Sequence, residues 1–343
     1  MAGTILKYLK HFCSAVILCL IISFSNYLRY GVQQLSGLIT LVSNTIDLQE
    51  ALQSDALSTK EKQKLQLIEK IKKFAADSLG LVVQDNYSRF YQQHDQPVLW
   101  ILTASPAFEL KSYEWKFPVI GYVSYKGFFK KQNAIPEYNS LKKSGFDVDL
   151  SPVSAWSTLG LFSDPVLSDF LKKSDGKLAE LILHELTHAT IFNKSSNTYN
   201  ENLATFIGQE GAKLFLKRTY NDSSQQLADY LNVIQFEKQK DAFFKSGAAQ
   251  LDSLYKTFTT EMTLSYKNKM KQDMINNLVR KLEEIIHINN GNKDINLQLL
   301  LNNTDFVMHE TYNALQDSFY NDLSNLDNNL ALFIAVEKKK AMQ

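Results

Sequence analysis

The chain has 343 residues, of which 45% are hydrophobic, with 37 basic against 36 acidic side chains. This near balance argues against a nucleic-acid-binding protein, which normally gathers a basic surplus on one face. With 13 glycines and 6 prolines, the composition predicts a globular, helix-rich protein that is large enough to bury a sizeable core.

The N-terminus has the layout of an export segment. Lys7 and Lys10 precede an apolar run at residues 12–24, which is in the range of a signal peptide and short for a span of about 20 residues. We therefore predict a signal peptide or N-terminal membrane anchor at 1–30 and a body at 31–343. The positive-inside rule places that body outside the cytoplasm, periplasmic or on the outer face of the membrane, anchored or secreted. A buried core helix is the alternative for this run.

A helix with readable ends follows at residues 58–80. Ser58 and Glu61 form a capping-box pair, and Gly80 is the expected stop. Between them one apolar stripe runs along the helix. Its members are Leu65, Ile68, Ile71, Ala75 and Leu79.

Three strand-like runs come next, at 97–104, 117–125 and 146–153. Asp164 and Pro165 predict the start of a short helix through Leu171. The run at 177–192 predicts a helix that is apolar nearly all round and belongs in an interior. From Asn200 to the end the pattern is helical, with a break at 289–294. The fold class is therefore α+β, with a sheet-containing part at about 31–175 and a helical part, which carries the active site, at about 176–343.

The segment HELTH at 184–188 contains the candidate chemistry. On a helix, His184 and His188 lie four residues apart and face the same side, so both imidazoles can bind one zinc ion. The only cysteines, Cys13 and Cys19, precede the body, so a metal there must be held by His, Asp or Glu. Glu201, on a second helix beginning around Asn200, is the candidate third ligand.

Small residues follow Glu201 at helical spacing. Ala204, Thr205 and Gly208 occupy the positions three, four and seven residues later. Such a stripe lets the second helix lie close against the first, which a carboxylate needs in order to reach the metal.

Glu185, next to the first ligand, is the candidate general base for a zinc-activated water. HExxH is a short motif that also arises by chance. The alternative is a pair of buried histidines whose ring nitrogens are satisfied by backbone carbonyls.

Several separated blocks also resemble one known family. FPVIGYVSYKGFF, SAWSTLGLFSDPVLS and HELTH with NENLATFIGQEG are similar to segments of the bacterial putative aminopeptidase family, a group of exported HExxH zinc peptidases with gluzincin-like motif logic. The resemblance covers most of 27–216 and, more weakly, 300–335. Departures from the family pattern are Tyr122 in place of a cysteine, Lys126 in place of an arginine, and an N-terminus without an evident lipoprotein signal.

The resemblance implies a zincin-like fold and one zinc ion held by His184, His188 and Glu201, with Glu185 as the base. It further implies that Tyr312 donates to the oxyanion, although a tyrosine at that place is equally a core aromatic on a helix face. A peptide is the implied substrate.

Two questions of function remain open in the sequence. The Gly-x-Met-Glu-Asn element, which binds the substrate amine in known aminopeptidases, does not occur. Glu109, Glu114 and Glu310 are candidate acceptors for a substrate ammonium in its place. An endopeptidase with the same chemistry is therefore an alternative to an aminopeptidase. The second alternative is a non-catalytic, zinc-containing binding or scaffold protein of the envelope, whose surface would be the charged C-terminal helices.

Overall fold

The computed structural model describes residues 27–117, 121–153, 164–193, 196–289 and 301–341, without the side chains of 311–313. The apolar run at 12–24 lies outside these residues. Within them, no helix is both long and apolar enough to cross a membrane.

Helices make up most of the described chain. They are α1 at 27–43, α2 Leu48–Gln53, α3 Thr59–Leu79, α4 Lys131–Lys143, α5 Asp175–Thr190, α6 Asn197–Tyr220, α7 Gln225–Lys256, α8 Leu264–Asn289, α9 Asn303–Asn313, α10 Gln316–Ser324 and α11 Leu330–Ala341. The strands are β1 Ile46–Asp47, β2 Arg89–Tyr91, β3 Leu99–Pro106, β4 Trp115–Phe117, β5 Gly121–Val123, β6 Lys126–Phe128, β7 Phe146–Val153 and β8 Val166–Leu167.

The strands form small sheets among the described residues. In one of them the order is β6-β3-β7, and both pairings are antiparallel. In the second, β2 lies between β1 and β8, antiparallel to the first and parallel to the second. The third is the hairpin β4-β5. Small sheets followed by a mostly helical C-terminal half confirm the predicted α+β class.

Helix α3 has the ends that the sequence predicts. The Ser58 hydroxyl accepts from the Glu61 backbone N–H, and the Glu61 carboxylate accepts from the Ser58 backbone. Gly80 adopts the left-handed conformation, φ +67°, which glycine adopts without the Cβ clash of other residues. All five residues of the predicted stripe are buried, and they pack in the core that lies under α5 and α6.

Two of the predicted elements are wrong. The run at 117–125 is not one strand: its described residues are the end of β4, the whole of β5 and two residues before β6, and Phe117 pairs with Gly121. The antiparallel pairing of Phe117 with Gly121 interrupts the run, and Gly121 has φ +85°, which glycine adopts readily. After Pro165, Val166 and Leu167 form β8 beside β2 before a 3-10 turn at Ser168–Lys172, because pairing with β2 takes precedence over the local helix signal.

The C-terminal helices are attached to the β3-β7 sheet by a buried polar cluster. The Lys271 ammonium donates to the Asp147 carboxylate at 2.6 Å and to the Ala107 carbonyl at 2.8 Å. The Asn303 backbone N–H donates to the same carboxylate at 2.8 Å, and the Tyr255 hydroxyl donates to the Asn303 amide oxygen. Helices α7, α8 and α9 pack around a hydrophobic core of their own, and the polar cluster fixes them to the sheet.

Candidate metal centre

The centre is built on two helices, α5 and α6, that begin with side-chain caps. Ser174 accepts from the Lys177 backbone N–H at the start of α5, and Ser196 accepts from that of Tyr199 at the start of α6. Helix α5 is lined by buried residues nearly all round, as its apolar sequence predicts.

The three predicted ligand side chains converge. The Nε2 atoms of His184 and His188 are 3.1 Å apart. The Glu201 Oε2 lies 3.6 Å from the first and 3.5 Å from the second. Among the described residues, this is the group of His, Cys, Asp and Glu side chains that is arranged to hold a metal ion.

The separations fit a metal better than they fit hydrogen bonds. A tetrahedral zinc site with bonds of ~2.0–2.1 Å separates neighbouring ligand atoms by about 3.3–3.4 Å. The observed 3.1, 3.5 and 3.6 Å fall on both sides of this value. Hydrogen bonds from nitrogen to oxygen are shorter, ~2.7–3.2 Å. The residues present therefore suit a cation at their centre.

The stripe of small residues on α6 allows the close approach of α6 to α5. A Cβ on Gly208 would lie 2.9 Å from the Glu180 carbonyl oxygen and 3.3 Å from the His184 Cβ, so glycine is needed for this contact. Ala204 is fully buried in the same contact face, while Thr205 is only half-buried. The predicted close packing of the two helices is confirmed.

Two asparagines that the sequence reasoning did not use hold Glu201 in place. Asn200 binds the connection between the helices: its side chain accepts from the Asn193 N–H and donates to the Asn193 carbonyl, each at 2.8 Å. Asn202 accepts from the Leu315 backbone N–H at 2.8 Å, which anchors the α9–α10 junction beside the site. In the sequence, the polar triplet Asn200-Glu201-Asn202 is the signal from which this role of the two asparagines could have been predicted.

The electrostatics of the ligands reflect their proximity. Burial alone raises the pKa of Glu201, but its interaction with His184 and His188 outweighs burial and lowers the pKa to about 2. Burial disfavours a charged His188, yet Glu201, together with the charges of Glu185 and Asp164, raises the pKa of His188. The carboxylate is thus ionised and attracts a cation.

Glu185, the predicted base, has a buried and unpartnered carboxylate oxygen. Its Oε2 is buried and has no hydrogen-bond partner among the described residues, and the same holds for the His188 Nδ1. Buried polar atoms without partners are rare in native proteins and call for an explanation. A polar group bound at the centre would provide a partner for the Glu185 oxygen, whereas the His188 Nδ1 lies on the side of the ring that faces away from His184 and Glu201. The His184 side chain, 18% exposed against 5% for His188, marks the open side of the centre.

Tyr125 is a further residue near the centre that the sequence reasoning missed. Burial, followed by the charges of Glu201 and Glu185, raises the pKa of Tyr125 to about 12. Its phenol therefore lies within the electrostatic reach of both carboxylates. It directly precedes β6, and neither the hydrophobic period nor a motif pointed to it, because only the tertiary fold brings this segment to α5 and α6.

The other predicted site residues stand as follows. Tyr312 lies on α9, whose end is anchored near Glu201, but its side chain is outside the described part of the structure. The candidate ammonium acceptors Glu109, Glu114 and Glu310 are all exposed.

A family model described as putative aminopeptidase matches residues 29–342. The chain belongs to this family. The match extends beyond the blocks on which the sequence resemblance rests and includes the charged helices α7 and α8. Searches of the curated proteins and of the solved structures found no match.

We expect the metal affinity to depend on the glycine at the helix contact. In Gly208→Ala the new methyl group meets the backbone oxygen of Glu180 and pushes α6 away from α5. The affinity for zinc, measured by competition with a chelating indicator, should fall about tenfold or more, as it does when the support of ligands is disturbed.

Gly211→Ala is the matched control for this prediction. It gains the same helix propensity, but its methyl group meets the ends of two flexible side chains, Leu183 at 2.8 Å and Leu79 at 3.4 Å, and no backbone atom. Equal affinities in both variants would show that the close contact at Gly208 does not set the ligand geometry.

Proposed function

We propose that the protein is a zinc-dependent peptidase, and most specifically an aminopeptidase. The observation that carries the proposal is the convergence of His184, His188 and Glu201 at 3.1–3.6 Å, with an unpartnered Glu185 carboxylate oxygen beside them. Membership of the putative aminopeptidase family supports a peptide as the substrate.

The donor set favours zinc over other common ions. Calcium and magnesium are bound mainly by oxygen ligands, whereas two imidazoles and one carboxylate are a frequent catalytic zinc set. Three protein ligands leave a fourth position for water or substrate. When bound, zinc supplies Lewis acidity, which lowers the pKa of a water molecule and polarises a carbonyl group.

Glu185 performs the proton transfers in this mechanism. Its buried Oε2 takes a proton from the attacking water as the water adds to the peptide carbonyl carbon. The same oxygen then delivers that proton to the leaving amine, which completes the cleavage of the C–N bond. A carboxylate without a competing hydrogen bond is free to act in both directions.

The oxyanion that develops on the carbonyl needs a hydrogen-bond donor. Tyr125 is our first choice because its phenol lies within the electrostatic reach of Glu185 and Glu201 and, like any tyrosine below its pKa, can donate its proton in a hydrogen bond at neutral pH. Tyr312, which the family resemblance suggests, is the second candidate.

The segment around Tyr125 also offers a place for the substrate backbone. Among the described residues β5 pairs on one side only, with β4. An extended peptide adding to its free edge would lie next to the residues that we assign to catalysis. A peptide-bound structure with the peptide away from this edge would refute that placement.

Two alternatives are retained. Endopeptidase activity is favoured by the exposure of Glu109, Glu114 and Glu310, because none of them offers a buried acceptor for a substrate ammonium. A non-catalytic zinc-containing scaffold would use the charged C-terminal helices, but their charges are partly explained by ion pairs within the helix, such as Lys245 with Asp241 and Lys256 with Asp252.

The location outside the cytoplasm is also part of the proposal. It rests on the sequence of residues 1–30 alone, with either a cleaved signal peptide or a membrane anchor.

Glu185→Gln should retain zinc and lose hydrolysis. The amide keeps the shape but cannot accept a proton, so we expect kcat to fall by about 10²–10⁴-fold. The metal content, measured by atomic emission on the same sample, should be unchanged. Glu210→Gln is the control. Glu210 lies nine residues after Glu201 on α6, and its carboxylate accepts hydrogen bonds from Lys213 and Tyr320. A Glu185→Gln variant with full activity would contradict the role of Glu185 as base. A wild-type protein that binds zinc but cleaves no peptide would favour the scaffold alternative.

Paired peptides test the aminopeptidase assignment. The wild-type protein should cleave peptides with a free N-terminal amine at least about tenfold faster than their N-acetylated forms, since losing one paired charge costs ~1.4 kcal/mol or more. Mass spectrometry of the products identifies the cleaved bond. Equal rates with internal cleavage would establish the endopeptidase alternative instead.

Tyr125→Phe should lower kcat by about 10²–10³-fold with little change in KM, the pattern for a donor that acts in the transition state. Tyr122→Phe is the matched control, since Tyr122 lies in the same segment with 62% of its surface exposed. If Tyr125→Phe leaves kcat unchanged and Tyr312→Phe lowers it, the donor is Tyr312.

A further inference from the structure

The His188 ring has a buried nitrogen on the side away from the metal centre. Its Nε2 atom faces His184 and Glu201, so a metal ion held by these residues would bind Nε2 and leave the ring proton on Nδ1. This Nδ1 is buried and has no hydrogen-bond partner among the described residues. Histidines that bind a metal almost always donate their second N–H to a carboxylate, a backbone carbonyl or water. A loaded centre therefore requires an acceptor behind His188.

Asp164 is a buried carboxylate near His188. Burial opposes a charged His188, but Glu201, and after it the charges of Glu185 and Asp164, raise the pKa of His188. Glu201 is assigned to the metal and Glu185 to proton transfer, which leaves Asp164 without a role in the centre. Its surface is only 5% exposed, and burying an ionised carboxylate is unfavourable unless donors or positive charges compensate. A carboxylate accepts several hydrogen bonds at once, so Asp164 can accept from His188 beside other partners.

A strained turn fixes the backbone of Asp164. The Asp164 N–H donates to the Asn86 side-chain oxygen at 3.0 Å, and the Asp164 carbonyl accepts from the Tyr87 N–H at 2.7 Å. Tyr87 has φ +59°, a left-handed conformation that is rare for a bulky residue. Such strain persists only where the surrounding structure enforces it, and it is concentrated at functional sites. We interpret the strain at Tyr87 as a consequence of holding Asp164 in one place.

Tyr87 is itself anchored in the core beside α5. Its ring is 2% exposed and packs edge-on against Phe170, with ring centres 6.4 Å apart. The Lys72 ammonium donates to the Tyr87 carbonyl at 3.2 Å. Burial, followed by the charges of Glu185 and Asp164, raises the pKa of Tyr87, so its phenol lies within the electrostatic reach of both carboxylates. The turn thus places Asp164 in the same buried region as the base on α5.

We propose that Asp164 is a positioning residue of the metal centre, whose carboxylate accepts the Nδ1 proton of His188 and so fixes the orientation of this ligand. The two side chains are not hydrogen-bonded in this structure, and we expect metal binding to bring them together through a rotation of the Asp164 side chain. The inference rests on the proposed zinc site, but it concerns a residue outside the ligands and the base.

The affinity for zinc tests this role in the full chain. Asp164→Asn removes the negative charge and keeps the shape, and we expect the affinity, measured by competition with a chelating indicator, to fall about 10–100-fold. Asp175→Asn is the matched control. Asp175 is also a carboxylate at α5, but it pairs with Lys64 and Tyr220 at the start of the helix, so its loss should lower the melting temperature and leave the affinity unchanged. Equal affinities in Asp164→Asn and the wild type, or an equal loss in both variants, overturn the proposal.

Two measurements on the zinc-loaded protein show the hydrogen bond itself. In the wild-type crystal structure, an Asp164 carboxylate oxygen should lie ~2.7–2.9 Å from the His188 Nδ1. In proton NMR, the His188 Nδ1–H resonance should lie far downfield and move upfield in Asp164→Asn but not in Asp175→Asn. A loaded centre with Asp164 more than ~3.5 Å from Nδ1 overturns the role of Asp164 alone. A wild type that binds no zinc at His184, His188 and Glu201 overturns the proposed function as well.

Discussion

The close contact between α5 and α6 is the constraint on which the rest of the structure depends. Zinc ligands must approach one point to within about 2 Å, but His184 and His188 come from one helix and Glu201 from another. Only a glycine at position 208 lets the helices approach this closely, because a Cβ there would meet the Glu180 carbonyl oxygen. The distances between the three candidate ligands therefore depend on the absence of a side chain at position 208.

The surrounding elements hold α6 in this position. Asn200 fixes the connection from α5, and Asn202 joins α6 to the α9–α10 junction. In the first turn of α6, the Tyr199 hydroxyl donates to the buried carboxylate of Glu337 on α11. The Glu337 carboxylate also pairs with Lys340. The C-terminal helices thus support Glu201, the candidate ligand outside the HExxH motif, and the family match likewise extends to residue 342.

Features with local causes could be predicted from the sequence. The cap and stop of α3 follow from Ser58, Glu61 and Gly80, and the four-residue spacing of the histidines follows from helix geometry. Features that depend on distant contacts could not. Tyr125 is far from Glu185 and Glu201 in sequence, and only the tertiary fold brings it within their electrostatic reach. Val166 forms a strand because β2 lies beside it.

The most direct test of the account is the location of the metal itself. Crystals of the protein purified with zinc, measured on both sides of the zinc absorption edge, give an anomalous difference map that shows zinc and little else. We predict one peak at ~2.0–2.2 Å from the Nε2 atoms of His184 and His188 and from a carboxylate oxygen of Glu201. A map with no peak between these three side chains, or with the peak on other residues, would contradict the account.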